Sequence, residues 1–383
     1  MAERRVLFTG ARAPIALDLA RQFHAAGWQV HVADCQPAHA TAASRAVHAR
    51  HRLPAPRQQP QAFAHALAGL CQAQQIDLLV PTCEEVFYVA AAAALLPAGT
   101  RLVAMPLPLL RQLHSKWEFL ALGQQAGLRV PDSARVHTLE QARHWADGRA
   151  VVLKPEFSRF GVDVRLYPEG LTAAAPALDQ RAWVVQALCQ GQEVCSYAVA
   201  HNGRVLAQAA YRPHWRMAGS ASYYFLRVDV PDISAQTAAL VAALGYSGQI
   251  AFDWMVDAQG QATVLECNPR GTSAVHLFAG SDALVMALDG QPGPCREPPL
   301  AAAMLAPMMW LHGGPTAALA GCWAQWQSDR RAAADVLMRP GDRGPGLGVL
   351  RDLAHYALQS VRTGGNLRAA STVDIEWDGG LLP

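Results

Sequence analysis

Short apolar runs alternate with amphipathic stretches over the first hundred residues. Arg5–Thr9 reads as a buried strand closed by a turn at Gly10, 15–26 as a helix and 30–33 as a strand. Residues 63–73 read as a helix, 77–81 as a strand, 86–96 as a helix and 102–105 as a further strand. That βαβα order predicts a parallel sheet with helices on both faces. The pattern changes at His114. A helix is predicted over 115–127, capped by Ser115, then strands over 151–154, 183–188, 196–200 and 204–210, the last two joined by a tight turn at His201-Asn-Gly203. A helix over 237–244 and a hairpin of 250–256 with 262–267 complete an antiparallel α+β unit. Linker composition follows at 290–299. Beyond it lie a Trp-rich helical stretch over 317–327, a Pro/Gly loop over 340–348, a helix over 349–361, and an alternation at 373–377 that reads as an edge strand. The fold class is therefore α/β joined to α+β, divided at 1–110, 111–289 and 290–383.

Composition narrows the class. Of 383 residues, 51% are hydrophobic and 16% charged, which excludes a disordered chain and suits two or three domains. A formal net charge of +2 calls for neither nucleic acid nor an anionic membrane. The longest apolar stretch, 300–311, is about half a membrane span and contains Pro307, so it reads as a core element. No signal-peptide run opens the sequence. The eight cysteines are scattered without a C-x-x-C, so a zinc pattern and a small disulfide framework are both excluded, and buried thiols in a reducing cytoplasm are expected. Of 32 Lys+Arg residues only two are lysine, Lys116 and Lys154. A lysine kept in so arginine-rich a chain marks a place that needs a compact ammonium rather than a planar fork.

Thr9-Gly-Ala-Arg-Ala-Pro14 follows a strand and opens a helix, with Asp34 after the next strand, which invites a dinucleotide-binding reading. Arg12 and Ile15 stand where the second and third glycines belong. Gln112 and Ala150, four residues before the lysines, exclude a Tyr-x-x-x-Lys pair. What remains is a tight turn, or a helix N-terminus facing a carboxylate or phosphate of the substrate.

The strongest signal is the second hairpin. Glu266 and Asn268 alternate onto one strand face, and Asp253 joins them across the pair. Two carboxylates and an amide oxygen form a hard oxygen site suited to Mg²⁺ bridging phosphates, with Arg270 as an oxyanion donor. Lys154 ends an apolar strand and precedes a loop with Ser158, Arg159 and Gly161, where it can reach phosphate oxygens. Lys116, read in a helical first turn, opposes the helix dipole and so does not serve helix stability. Gln186, Ala187 and Leu188 form an extended edge able to meet an adenine, and Glu193 is placed to accept from ribose hydroxyls. Glu84 and Glu85 end a parallel strand where wound sheets bind ligands and suit a cationic amine, or simply a helix N-terminus.

The ordered set Lys116, Lys154-Pro, Gln186-x-Leu, Gly191-x-Glu193, Asp253 and Glu266-x-Asn268-Pro-Arg270 resembles the ATP-grasp superfamily, nearest its carbamoyl-phosphate-synthase-like and D-alanine–D-alanine-ligase-like carboxylate–amine ligases. The match covers about 113–282, and the N-terminal unit is similar to the Rossmann-like pre-ATP-grasp domain. The resemblance implies ATP and Mg²⁺. Lys116 and Lys154 would contact phosphates, Ala187, Leu188 and Glu193 would hold the nucleoside, and Asp253, Glu266 and Asn268 would hold the metal. It implies a ligase that activates a carboxylate as an acyl phosphate for capture by an amine. Small-molecule acid and amine partners follow, without nucleic acid or membrane, and a homodimer is allowed. The rival readings are a kinase on the same nucleotide site and a nucleotide-binding regulator without turnover. Two departures stand out. The loop after Lys154 carries one glycine, with Ser158, Arg159 and Phe160 in place of a flexible cradle. Ala251 stands where the dipeptide-ligase branch has arginine, so Arg270 or Arg227 is expected to serve the acyl phosphate.

Overall fold

The computed structural model describes the chain apart from residues 1–2, 38, 159–162, 173–174, 218–221, 350, 353–371, 381 and 383. The first unit runs β1 (Arg5–Thr9), α1 (Pro14–Ala25), β2 (Gln29–Asp34), β3 (Ala49–Arg52), α2 (Pro60–Ala73), β4 (Leu78–Pro81), α3 (Val86–Ala91) and β5 (Arg101–Leu102). Its sheet is parallel in the order β3-β2-β1-β4-β5. The chain leaves β1 in one direction and returns through β4 on the other side, so the switch point where such sheets bind ligands lies between the ends of β1 and β4.

Those two strand ends are laced together by buried polar groups. Glu85 accepts from the Thr9 hydroxyl at 2.8 Å and from the Thr82 backbone N–H at 3.0 Å. Thr82 Oγ1 donates to Thr9 O at 2.7 Å. Gly10 sits at φ +60, and a Cβ there would stand 2.4 Å from a Glu85 carboxylate oxygen. Gly10→Ala combines a left-handed strain with that clash, so it is expected to cost about 1–3 kcal/mol. A thermal unfolding midpoint that matches the parent chain would contradict this account of the turn.

Next come α4 (Leu107–His114) and α5 (Glu118–Gln125), then β6 (Ser133–Val136), α6 (Leu139–Ala146), β7 (Val151–Pro155), β8 (Arg165–Tyr167) and β9 (Trp183–Ala187). The four strands form an antiparallel sheet in the order β6-β9-β7-β8, with Trp183, Leu153 and Val136 buried against α6. The third unit holds β10 (Gln192–His201), β11 (Arg204–Pro213), β12 (Tyr224–Val228), α7 (Pro231–Ala243), β13 (Gly248–Val256), β14 (Ala262–Asn268), α8 (Ala283–Leu288), β15 (Ala302–Met304) and β16 (Ala334–Asp335). Its seven strands run β14-β13-β10-β11-β12-β15-β16. The apolar stretch read as a core element thus supplies β15, and the strands after the Pro/Gly-rich 290–299 extend the sheet made before it.

One face of this sheet packs Phe252, Trp254 and Ile250 against α5 and α7. Full burial of each such side chain is worth about 1.5–3 kcal/mol. The opposite face, with Tyr197, Tyr211 and Phe225, shares one core with Phe8, Phe23 and Leu19 of the parallel unit. That continuity fixes the two units to each other and brings the β14 end over the β1/β4 switch point.

Two expectations change. The predicted helix at 115–127 begins only at Glu118, because α4 ends at His114 and Ser115 Oγ accepts from the Glu118 N–H at 2.9 Å. Lys116 therefore lies in the bend between two helices. Residues 372–376 form a turn, with Ile375 and Glu376 N–H both donating to Thr372 O at 3.0 Å, instead of an edge strand. The helix predicted at 349–361 falls almost wholly outside the described residues, and Arg159 and Phe160 lie outside them too.

Candidate active site

The four-stranded and seven-stranded sheets approach each other at the chain's two lysines, which mark a seam between them. Lys154, at the end of β7, is 5% exposed and donates to Gln186 Oε1 at 3.0 Å and to Leu265 O at 3.1 Å. Lys116 approaches from the α4–α5 bend, with Nζ 3.5 Å from Glu266 Oε2 and donating to Ser158 O. A strand of one sheet and a bend outside it thus aim two ammonium groups at one carboxylate on the other sheet.

Across β13 and β14, Asp253 pairs directly with Glu266. Asn268 Nδ2 donates to Asp253 at 3.4 Å, while its oxygen accepts from Arg270 Nη2 at 3.1 Å. The amide oxygen would have to turn toward Asp253 to act as a ligand. Burial and the Glu266 charge raise the Asp253 pKa, whereas Lys116 and Lys154 outweigh burial to lower that of Glu266. Burial, aided by Lys116, brings Lys154 down to about 8. Cys195 and Tyr211 continue the same cross-strand row, and the Cys195 thiol hydrogen-bonds Asp253. The cysteine therefore helps hold the carboxylate whose charge is least favoured.

This donor set fits Mg²⁺. It is all oxygen, it crowds two carboxylates, and it faces cations rather than apolar side chains. Among the described residues no group of three or more His, Cys, Asp or Glu could hold a metal alone. An ion held by Asp253, Glu266 and Asn268 would need oxygens from water or substrate, as Mg²⁺ commonly does.

Arg270 reaches back to the parallel unit, with Nη2 3.5 Å from Glu84 Oε1 at the end of β4. Glu84 is thereby brought to the seam. Glu85 is instead the buried brace between β1 and β4, with burial raising its pKa. Arg227 is not gathered into the cluster: it donates to Pro298 O at 2.7 Å and Glu297 at 2.8 Å. Glu193 stands at the start of β10, paired with Arg216 at 2.9 Å. The edge at Ala187 and Leu188 is narrower than the sequence suggests, because the Ala187 N–H is spent on Asp132 O at 2.9 Å and the Leu188 N–H on Ala150 O at 3.1 Å. Burial raises the pKa of the Cys189 thiol, just beyond, and the Lys154 ammonium offsets part of that rise.

Sequence reasoning missed Glu156. It is 1% exposed, accepts from Ser115 Oγ at 2.6 Å, lies 2.9 Å from Arg135, and ties the loop after β7 to the Lys116 bend. An acidic residue placed directly after a buried strand was the signal available. The β1–α1 turn also corrects an expectation. It does face carboxylates, but they belong to the chain itself: Asp34 accepts from the Arg12 N–H at 2.9 Å, and Asp374 lies 2.6 Å from the Arg12 guanidinium.

No family model matches the chain, and no curated protein matches it by sequence. Solved structures do match. An L-amino acid ligase from Bacillus licheniformis is similar at TM-score 0.55 and 18% identity, over 75% of this chain and 74% of that one. The N5-carboxyaminoimidazole synthetase of Staphylococcus aureus, complexed with ADP, gives 0.59 and 13% over 79% and 80%. The biotin carboxylase domain of the Hydrogenobacter thermophilus 2-oxoglutarate carboxylase, a domain dimer with MgADP and bicarbonate, gives 0.59 and 12% over 77% and 71%. The four-stranded and seven-stranded sheets on either side of the lysine–carboxylate seam, set on a parallel unit, thus form a fold that this chain shares with these ligase and carboxylase structures.

Proposed function

We propose that the chain is an ATP-dependent ligase that activates a substrate carboxylate as an acyl phosphate, for capture by an amine with release of ADP and phosphate. The observation that carries this reading is the convergence of the only two lysines on Glu266, between two sheets and beside Arg270. Lys154 and Lys116 would neutralise phosphate charge, and Gln186 holds the Lys154 ammonium in place. Ser158 and Glu193 would border the phosphates and the ribose, and the carbonyl edge at Ala187–Leu188 the base. Asp253, Glu266 and Asn268 would hold Mg²⁺, which would supply neutralisation of phosphoryl charge.

Arg270 would hold the acid, and Glu84, 3.5 Å from it at the switch point, would meet the amine. The ADP and MgADP in the similar structures support the nucleotide, and the L-amino acid ligase supports an acid–amine pair. No helix among the described residues is long and apolar enough to cross a membrane.

A screen of carboxylic acids against amines, read as ADP release, tests the proposal. ADP release is expected to require one acid and one amine together, with a condensed product. Stoichiometric release with a stable phosphorylated product and no amine dependence would establish a kinase instead.

A further inference from the structure

The segment from Thr372 to Gly380 is spent neither in a sheet nor in the proposed chemistry, yet it is tied down at nearly every residue. Asp374 makes a buried ion pair with Arg12 and accepts from the Cys35 thiol at 3.0 Å. Its carbonyl accepts from the Arg57 N–H at 3.1 Å. Glu376 pairs with Arg57, and its carbonyl accepts from the Tyr88 hydroxyl at 2.9 Å. Ile375 and Trp377 are buried. The segment therefore lies across the carboxyl ends of β1 and β2, next to the β1/β4 switch point where a wound sheet ordinarily takes a ligand.

The far end of this strap touches the other half of the seam. The Trp377 ring packs on Phe87 at 4.6 Å, on Phe157 at 5.9 Å and on His114 at 6.3 Å between centroids, with Nε1 donating to Gly380 O at 2.9 Å. His114 precedes the Ser115–Lys116 bend. Phe157 lies between Glu156, which that bend holds, and Ser158, whose carbonyl takes the Lys116 ammonium. Gly379 sits at φ +86 under the Phe157 ring, where a Cβ would come within 2.6 Å of it.

We propose that the strap is a wall of the nucleotide site, with Trp377 a positioning residue that sets the loop 156–158 and through it the Lys116 ammonium. The proposal rests on the nucleotide reading given above. One aromatic contact, Trp377 on Phe157, and one close glycine join the strap to a loop whose other neighbours include the candidate phosphate-binding groups. Without the Trp377 ring, Phe157 keeps only His114 and the Arg111 guanidinium as ring and cation contacts, so the loop gains conformers that binding then has to order.

The test is calorimetric binding of MgATP to the whole chain, with ATP KM and kcat measured alongside. Trp377→Ala is expected to weaken MgATP at least tenfold and to raise KM more than it lowers kcat. Trp377→Phe is expected to restore binding to within about threefold, because a ring keeps the stack. Gly379→Ala, which removes no core group, is expected to weaken MgATP severalfold by displacing Phe157. Wild-type affinity in Trp377→Ala, or in Gly379→Ala where Trp377→Ala does not fold, overturns the proposal. A lowered melting midpoint with unchanged affinity would do the same, since that is all a purely structural role would give. Failure of the parent chain to bind MgATP would sink the nucleotide reading itself, and the strap proposal with it.

Discussion

Glu266→Gln is expected to lower ADP formation by more than a hundredfold, a loss of about 2.7 kcal/mol or more of transition-state stabilisation. The substitution keeps size and hydrogen bonding but removes the one carboxylate that both lysines hold ionised. The ligand-free chain should also melt earlier, because Lys116 loses its partner at 3.5 Å and Lys154 loses a favourable field. Asp253 is the strained partner. Its folded pKa is raised from 3.8 to about 8, so the folded state holds a proton that the unfolded chain releases first. Asp253 therefore contributes stability at low pH that is lost as pH rises from about 4 toward 8. The melting midpoint of Asp253→Asn relative to the parent should climb across that window and level off above it. A flat difference would mean that Asp253 is not held protonated in the fold, and wild-type turnover in Glu266→Gln would remove Glu266 from the candidate metal site.

Lys154→Arg is expected to cost about a hundredfold in kcat/KM, near 2.7 kcal/mol, although the charge is kept. The ammonium fits between Gln186 Oε1 and Leu265 O with 5% exposure, and a planar fork has no room to make both contacts. Activity within a few fold of the parent would mean that the retained lysine reflects composition and not the site.

The legible parts of the fold were those written in periodicity. Strands β1, β2, β4, β7 and β13 and helices α1, α2 and α7 are buried on defined faces, and burial imposes the apolar spacing that announces them. β3 reads Ala-Arg-His-Arg with no buried position, so nothing marked it as an edge strand. The alternation at 373–377 was misleading, because a turn can dock Ile375 and Trp377 on one surface as readily as a strand can. The lysines stood out through rarity and the Asp253–Glu266–Asn268 set through strand alternation. Which groups were already occupied was not legible. The Ala187 and Leu188 N–H groups, Glu193 with Arg216, and Arg227 with Glu297 all find partners distant in sequence. Glu85 and Glu84 are adjacent, yet one braces two strands and the other faces Arg270, a distinction set by backbone direction at the end of β4.

The Arg12–Asp374 pair spans 362 positions, and this sets an order of events during synthesis. A ribosome adding about 5–20 residues each second exposes the β1–α1 turn long before the second carboxylate exists. Arg12 is buried first with Asp34 as its only anion. Closing so long a loop adds little entropy beyond closing one half its length, because the cost grows only with the logarithm of length. The delay is therefore one of timing more than of free energy. Both sheets of the seam can be complete while the loop they share still lacks its outer support. The outer support of that loop can form only once residues 372–380 have been synthesised.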